Sequence, residues 1–265
     1  MAFNLNELVL DKVRSLTAHS INDENYGEML FRLTSLEDPS LSCTAEGEEV
    51  VDAIGALITT LYRAKKATFS ASNSLISLDL AAAQYGAKKE VASSTGKIKV
   101  PTYEILTVAE GDTTVELKYA PVEEIPYIYS VVSGEIGTSY KSADAASATE
   151  FAIAVGEGNK TITVPTGLTG KIYVEYTYES ENANRIANKT SNFPESCSMK
   201  IYAYFRDKCN DNVKYSGVIV SPKAKLNPEQ IELALTSTGK HAFEFQMMRD
   251  YCDEDAELFS IIVAE

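Results

Sequence analysis

The sequence predicts a mainly β fold: a β-rich core with one flanking α-helix, interrupted by an inserted immunoglobulin-like β-sandwich. Three observations predict it. Runs rich in Val, Ile, Thr, Tyr and Phe, bounded by Gly, Pro, Asn and Asp, recur along most of the 265 residues. Helical spacing of apolar residues, closed by a stop signal, is clear in one stretch, 73–85. The strand texture shortens after Ser93-Ser-Thr-Gly96 and lengthens again after Asn182. The expected domains are therefore 1–96 with 181–265 for the β core and 97–180 for the insert.

In chain order, residues 4–17 place Leu5, Leu8, Val9, Val13 and Leu16 at near-helical spacing, with Asn4 and Glu7 as a capping pair. Part of the same segment, 9–16, also alternates like a strand. Residues 28–36 read as a strand, Asp38-Pro39 as a turn, 43–51 as another strand, and 56–70 as a long, bent one. In 73–85, Asn73 or Ser74 can cap a helix whose Leu75, Leu78, Ala82 and Tyr85 repeat along one face. Gly86 supplies its left-handed stop, and Lys88 and Lys89 follow at its negative end. The insert holds strand-like runs at 97–100, 104–108, 113–119, 127–132, 151–155, 160–164 and 171–178. Roughly seven strands in about eighty residues is the density of a small immunoglobulin-like sandwich, here without the Cys pair and Trp of antibody domains. Longer runs return at 197–206, 213–220, 231–235, 242–248 and 258–263.

Composition excludes several function classes. With 24 basic and 38 acidic side chains the formal charge is −14. Such a chain is poorly suited to wrapping nucleic acid, because phosphate neutralisation needs clustered Lys and Arg. Two His and no Trp leave little material for metal clusters or His-based catalysis. Residues 1–10 lack the basic start and apolar run of a signal peptide, and the best apolar run, 54–61, is broken by Gly55, Thr59 and Thr60. No membrane association is expected. Cys43, Cys197, Cys209 and Cys252 lie far apart without CxxC spacing, which fits mostly buried thiols in a reducing cytosol; a Cys197–Cys209 disulfide stays open.

Candidate sites are weak. The acids from Asp250 to Glu257, near Cys252, lack the alternation and central glycine of a calcium loop and read as a solvated turn. His241, after Gly239-Lys240, reads as a hairpin or loop residue, and His19 as part of a polar link. The acids of 44–55 could be a glycosidase pair but read more simply as a water-facing loop and strand edge. Gly156-Glu-Gly158 resembles a hairpin turn. Alternation would put Arg63 and Lys65 on one strand face and Lys66 on the other, free to pair with a neighbouring copy or to lie in solvent. No catalytic, cofactor-binding or metal-ligating residue is assigned.

The run Tyr62-Arg-Ala-Lys-Lys-Ala-Thr-Phe-Ser-Ala-Ser-Asn-Ser-Leu-Ile-Ser-Leu-Asp-Leu-Ala-Ala-Ala-Gln-Tyr-Gly86 resembles structural proteins of tailed-phage virions. So do Val218-Ile-Val-Ser-Pro-Lys-Ala-Lys-Leu-Asn-Pro, Leu235-Thr-Ser-Thr-Gly-Lys-His-Ala-Phe, and the closing Arg249-Asp-Tyr-Cys with Leu258-Phe-Ser-Ile-Ile. These segments cover the core but not the insert. The layout is similar to the tail tube (major tail) proteins of long-tailed bacteriophages. That resemblance implies a tail-tube-like β-sandwich or barrel core and a non-enzymatic virion subunit without cofactors, assembled in the host cytoplasm. It also implies self-association into stacked rings, contact with other tail proteins such as sheath or terminator, and a channel through which genomic DNA passes without sequence-specific binding. An acidic lumen would repel phosphate and let the duplex slide. Alternatives are a head decoration or other tail protein, a carbohydrate-binding adhesive module using Tyr127, Tyr129 and Tyr140, and, last, a hydrolase using scattered carboxylates.

Overall fold

A computed structural model describes residues 7–154, 156, 158–208, 212–233, 235, 239–252 and 256–264. The chain divides into two compact units, one made of the residues up to Lys89 with those from Ile186 onward, the other of Glu90–Arg185. The first unit opens with β1 (Leu8–Ser20), β2 (Met29–Leu33), β3 (Leu36–Val51), β4 (Leu57–Asn73) and the helix α1 (Leu78–Tyr85). The second contains β5 (Glu90–Val91), β6 (Ile98–Val108), β7 (Thr114–Glu116), β8 (Tyr127–Val132), β9 (Glu135–Ser142) and β10 (Glu150–Phe151). It continues through β11 (Thr161–Thr163), β12 (Gly170–Ser180) and β13 (Asn184–Arg185). The chain then re-enters the first unit with β14 (Ser196–Asp207), β15 (Lys214–Leu226), β16 (Glu232–Leu233), β17 (His241–Met247) and β18 (Ser260–Ala264). The fold is mainly β, with one α-helix among the described residues.

Nine strands of the first unit form one sheet in the order β2-β1-β14-β15-β17-β4-β3, with β18 also paired to β15 and β16 to β17. One face of its middle is apolar: Leu16, Phe31, Phe69, Met199, Ile201 and Phe245 are all buried there. The rings of Phe31 on β2 and Phe245 on β17 lie 6.3 Å apart although three strands separate them in the sheet. Strands pack about 4.8 Å apart, so a flat sheet could not bring those rings together and this one must curl around its core. Register shifts in β1 and β14 supply the bends such curling needs.

The helix packs on the core through Leu80 and the half-buried Ala83. Its start differs from expectation. Asn73 is the last residue of β4, paired with both Leu36 and His241, and so is unavailable as a cap. Ser77 takes that role, its Oγ accepting the Leu80 N–H at 3.2 Å. The predicted apolar face is also displaced, because Leu75 and Leu78 are exposed while Leu80 and Gln84 are buried. Gly86 ends the helix as predicted, at φ 60° and with its N–H directed to the Ala82 and Ala83 carbonyls.

Near the N-terminus the helical spacing loses to strand pairing. Residues from Leu8 onward ladder with β14 on one edge and β2 on the other, and Leu16 and Ala18 enter the core from one face. Asn4 lies outside the described residues. Asp38-Pro39 is a bulge inside β3, with Asp38 at φ 49°.

In the second unit a five-stranded sheet, β10-β9-β8-β12-β6, lies with the β7–β11 pair around a core that includes Ile125, Ile128, Phe151, Ile162, Ile172 and Val174. The two predicted runs at 97–100 and 104–108 are one edge strand; Pro101 is tolerated because β6 has a neighbour on only one side. The polar β9 was not predicted as a strand. Inside, the Tyr176 hydroxyl donates to Glu104 and accepts the Tyr119 N–H at 3.2 Å. Burial first, then Glu104, pushes the Tyr176 hydroxyl well above its ordinary value.

Candidate self-association surfaces

Two parts of the first unit lie outside its core. The larger is the outer half of the β3–β4 hairpin. From Thr44 to Val51 every residue of β3 is exposed, and from Leu57 to Lys66 all of β4 except the half-buried Thr60. A two-stranded ribbon in water is marginal without a covered apolar face, yet this one presents Val51, Ile54, Leu57, Ile58, Leu61 and Tyr62 to solvent. Its ladder persists through two register shifts, each adding twist.

The basic cluster sits on this arm, arranged otherwise than alternation predicts. A bulge at Ala64, φ 52°, makes Arg63 oppose Glu46 while Lys66 opposes Thr44. Because Thr44 and Glu46 are two residues apart, Arg63 and Lys66 share a face. The acids of the other strand meet them there: Arg63 pairs with Glu48, and Lys66 with Glu46 at 3.4 Å. Arg63 and Lys66 are thus held within the hairpin rather than left for a neighbour. All four side chains are well exposed, so each pair is worth only about 0–1 kcal/mol.

The second part is the far end of the curled sheet. β17 ladders with β15 only at Ala224–Leu226, and with β4 down to Ala67. Past Met247 its place beside β15 is taken by β18, which pairs with Ser216–Val220. Ser221 marks the fork: it is fully buried, and its Oγ donates to the Leu258 carbonyl at 2.8 Å. Beyond it, the sheet β1-β14-β15-β18 and the β3–β4 arm run on in the same direction as separate branches. The outer edge of β18 and the inner edge of the arm's β4 are unpaired among the described residues. Val9, Leu10, Ile261 and Ile262 are about half exposed on the first branch. Phe205 lies over Gly217, where any side chain would strike the ring, and Asp11 is paired with Arg206 at 2.7 Å.

The remaining candidates resolve differently. His241 is no loop residue: it begins β17, is buried, and its Nε2 is 2.6 Å from Gln84 Oε1. The Ser77 N–H points at Nδ1 from 3.4 Å, which assigns Nδ1 as acceptor and Nε2–H as donor. Burial lowers its pKa. His19 is likewise in a strand, β1, and is lowered by burial first and Lys200 second. Asp250 accepts the Cys252 N–H and pairs with Lys223, in that order holding its carboxyl below the usual range; residues 253–255 lie outside the described set. Among the described residues, no three His, Cys, Asp or Glu side chains converge as a metal would require. Glu157 of the Gly-Glu-Gly turn lies outside the described residues, as does Cys209. The expectation of mostly buried thiols fails, since Cys43 and Cys252 are exposed and, among the described cysteines, only Cys197 is buried, its thiol pushed up to about 12 by that burial. Tyr127 is exposed and Tyr129 half-buried, whereas Tyr140 packs on the core of the second unit. No described helix is long and apolar enough to cross a membrane.

In a search of individual curated proteins, none matches the chain. A family model described as the YomU/Tube protein family matches residues 13–261, which span both units and the two outlying branches. The chain therefore belongs to the YomU/Tube protein family, a family of phage tube-type structural proteins.

Proposed function

We propose that the chain is a tail tube subunit of a long-tailed phage virion, which stacks as rings into a channel for DNA passage during ejection. The observation that carries this reading is the β3–β4 arm, a long ribbon apolar on its surface, unsupported by its own core and open along its edges. Exposed β edges are normally capped, charged or paired. In a ring, the arm and the free edge of β18 gain partners from neighbouring copies, which accounts for both at once. The role is structural and non-enzymatic, and the partners are other copies of the chain and further tail proteins. Family membership supports a place in the virion tail.

In this reading the excess of acids, present in both units, works as a property of the channel wall. An acidic lumen keeps the duplex from sticking. The unit Glu90–Arg185 is proposed as an immunoglobulin-like sandwich inserted in the tube core, supported by its five-stranded sheet and its β7–β11 pair around one apolar centre. The test is assembly itself. Light scattering and electron microscopy of the purified chain should show rings or tubes, and removing residues 46–63 should leave a folded monomer. A full-length chain that stays monomeric in every assembly condition contradicts the proposal, as does assembly that ignores the arm's removal.

A further inference from the structure

A cavity opens at the end of the large sheet away from the arm, where β1 and β15 finish, β2 and β14 begin, and α1 passes beside them. Its volume is about 390 Å³. The buried part of its lining is apolar: Phe31, Cys197, Leu226 and, from the helix, Ala82. Met29 and Ala83 line it nearer the solvent. At the mouth Asp79 pairs with Lys89, while Glu28 and Glu195 accept from the side chains of Asn25 and Asn22. Lys88, also at the mouth, is exposed and has no ion pair among the described residues. A concave apolar site with a few polar groups at its edge suits a compact apolar group.

The arm ends in such a group. Its turn, 52–55, closes with the Gly55 N–H bonded to the Asp52 carbonyl at 3.0 Å. Asp52 Oδ1 also accepts the Ile54 N–H at 3.0 Å and the Ala56 N–H at 2.7 Å, and Gly55 takes φ 84°. The turn is held in one shape with Ile54 at its apex, 89% exposed. A preformed tip of this kind loses little freedom on docking. Tyr26 and Tyr251 are similarly exposed but placed otherwise: Tyr26 follows the pocket's own Asn25, and Tyr251 lies 5.8 Å from the Arg249 guanidinium. The ion pairs of the arm leave Glu49 and Asp52 without a cation, which complements the unpaired Lys88. β4 leaves β17 at Ala67 and runs on to Leu57, about 33 Å in the direction away from the pocket. Tip and pocket therefore sit at opposite ends of the sheet. A tip of one copy meets the pocket of another head to tail, a heterologous contact that repeats along a growing assembly.

We propose that Ile54 of one copy inserts into the pocket between α1 and β2 of the next. The side chain packs on Phe31, Cys197 and Leu226, and the acids of the tip face Lys88. An apolar anchor filling a desolvated pocket is the arrangement that dominates the energy of an interface. The docking rests on the tube reading above and gives the arm of that reading its seat.

The experiment uses the full chain with Cys43→Ser and Cys252→Ser, which remove its exposed described thiols. Met29→Cys and Ala53→Cys are added together, and the assembled material is treated with a short bis-maleimide. A ladder of covalent oligomers is expected on a denaturing gel, with positions 29 and 53 joined in the peptide mass spectrum. Neither single variant should give that joined product. In the otherwise native chain, Ile54→Asp and Met29→Glu, both at exposed positions, should each abolish tubes with unchanged thermal melting, whereas Ile54→Leu should keep them. Wild-type tubes without the 29–53 link, or tubes that survive either charged substitution, overturn the docking and leave the tube reading standing. Loss of tubes in Met29→Glu alone gives the pocket to another occupant. A wild type that never assembles overturns both readings.

Discussion

His241 holds the helix to the sheet only as a neutral ring, because its Nδ1 must accept from Ser77 while Nε2–H serves Gln84. Its folded pKa lies below the unfolded value of 6.5. The unfolded chain therefore binds the proton first as pH falls, so the stability this group contributes is full above pH 6.5 and is lost in acid. Urea unfolding at pH 7.5 and 5.5 should show the wild type losing stability, by at most about 1.4 kcal/mol per pH unit for one such group. In His241→Leu that component of the slope should vanish and the neutral-pH stability should be lower, since Gln84 and Ser77 lose their partner. A slope unchanged in the variant would contradict the assignment. At Gly86 the expectation is steric as well as conformational: an added Cβ would sit 2.1 Å from the Phe193 carbonyl oxygen, at φ 60°. Gly86→Ala should destabilise the chain by more than about 1 kcal/mol in the same assay. Gly86 was legible in sequence because a glycine after a helical run has one common meaning. His241 was not, since its partners lie 157 and 164 residues away.

At the scale of elements, local patterns name strands better than they name their ends. The long runs of β4, β14 and β17 were predicted nearly in place, whereas the cap of α1 was missed because Asn73, an equally good cap by composition, is committed to the ladder. The arm's charge pattern was misread for a related reason: alternation assumes a regular ladder, and the bulge at Ala64 resets it. Core strands and arm should respond to substitution in opposite ways. Phe245→Ala, at a fully buried ring, should cost about 3–5 kcal/mol in denaturant unfolding. On the arm, Ile58→Lys with Leu61→Lys should leave unfolding within about 0.5 kcal/mol per site yet abolish rings in the microscope. Assembly that survives the arm variant would remove the arm from the interface.

For the whole molecule, alternating apolar residues and turn signals were enough to make the fold class legible. The curl of the large sheet and its fork at Ser221 were not, because both arise from pairings between distant strands such as β15 with β18. Nor does any single motif mark the proposed assembly surfaces, since exposed Val, Ile and Leu on a strand look like core until the partner strands are known. In the proposed ring assembly, the net charge of −14 is multiplied around a channel. Electron cryomicroscopy of the assembled chain decides whether the arm builds rings. Stacked rings around an open, acid-lined channel are expected, with the β3–β4 arm of each copy seated on a neighbour. Folded chains that form no rings, or rings whose arms project free into solvent, would contradict it.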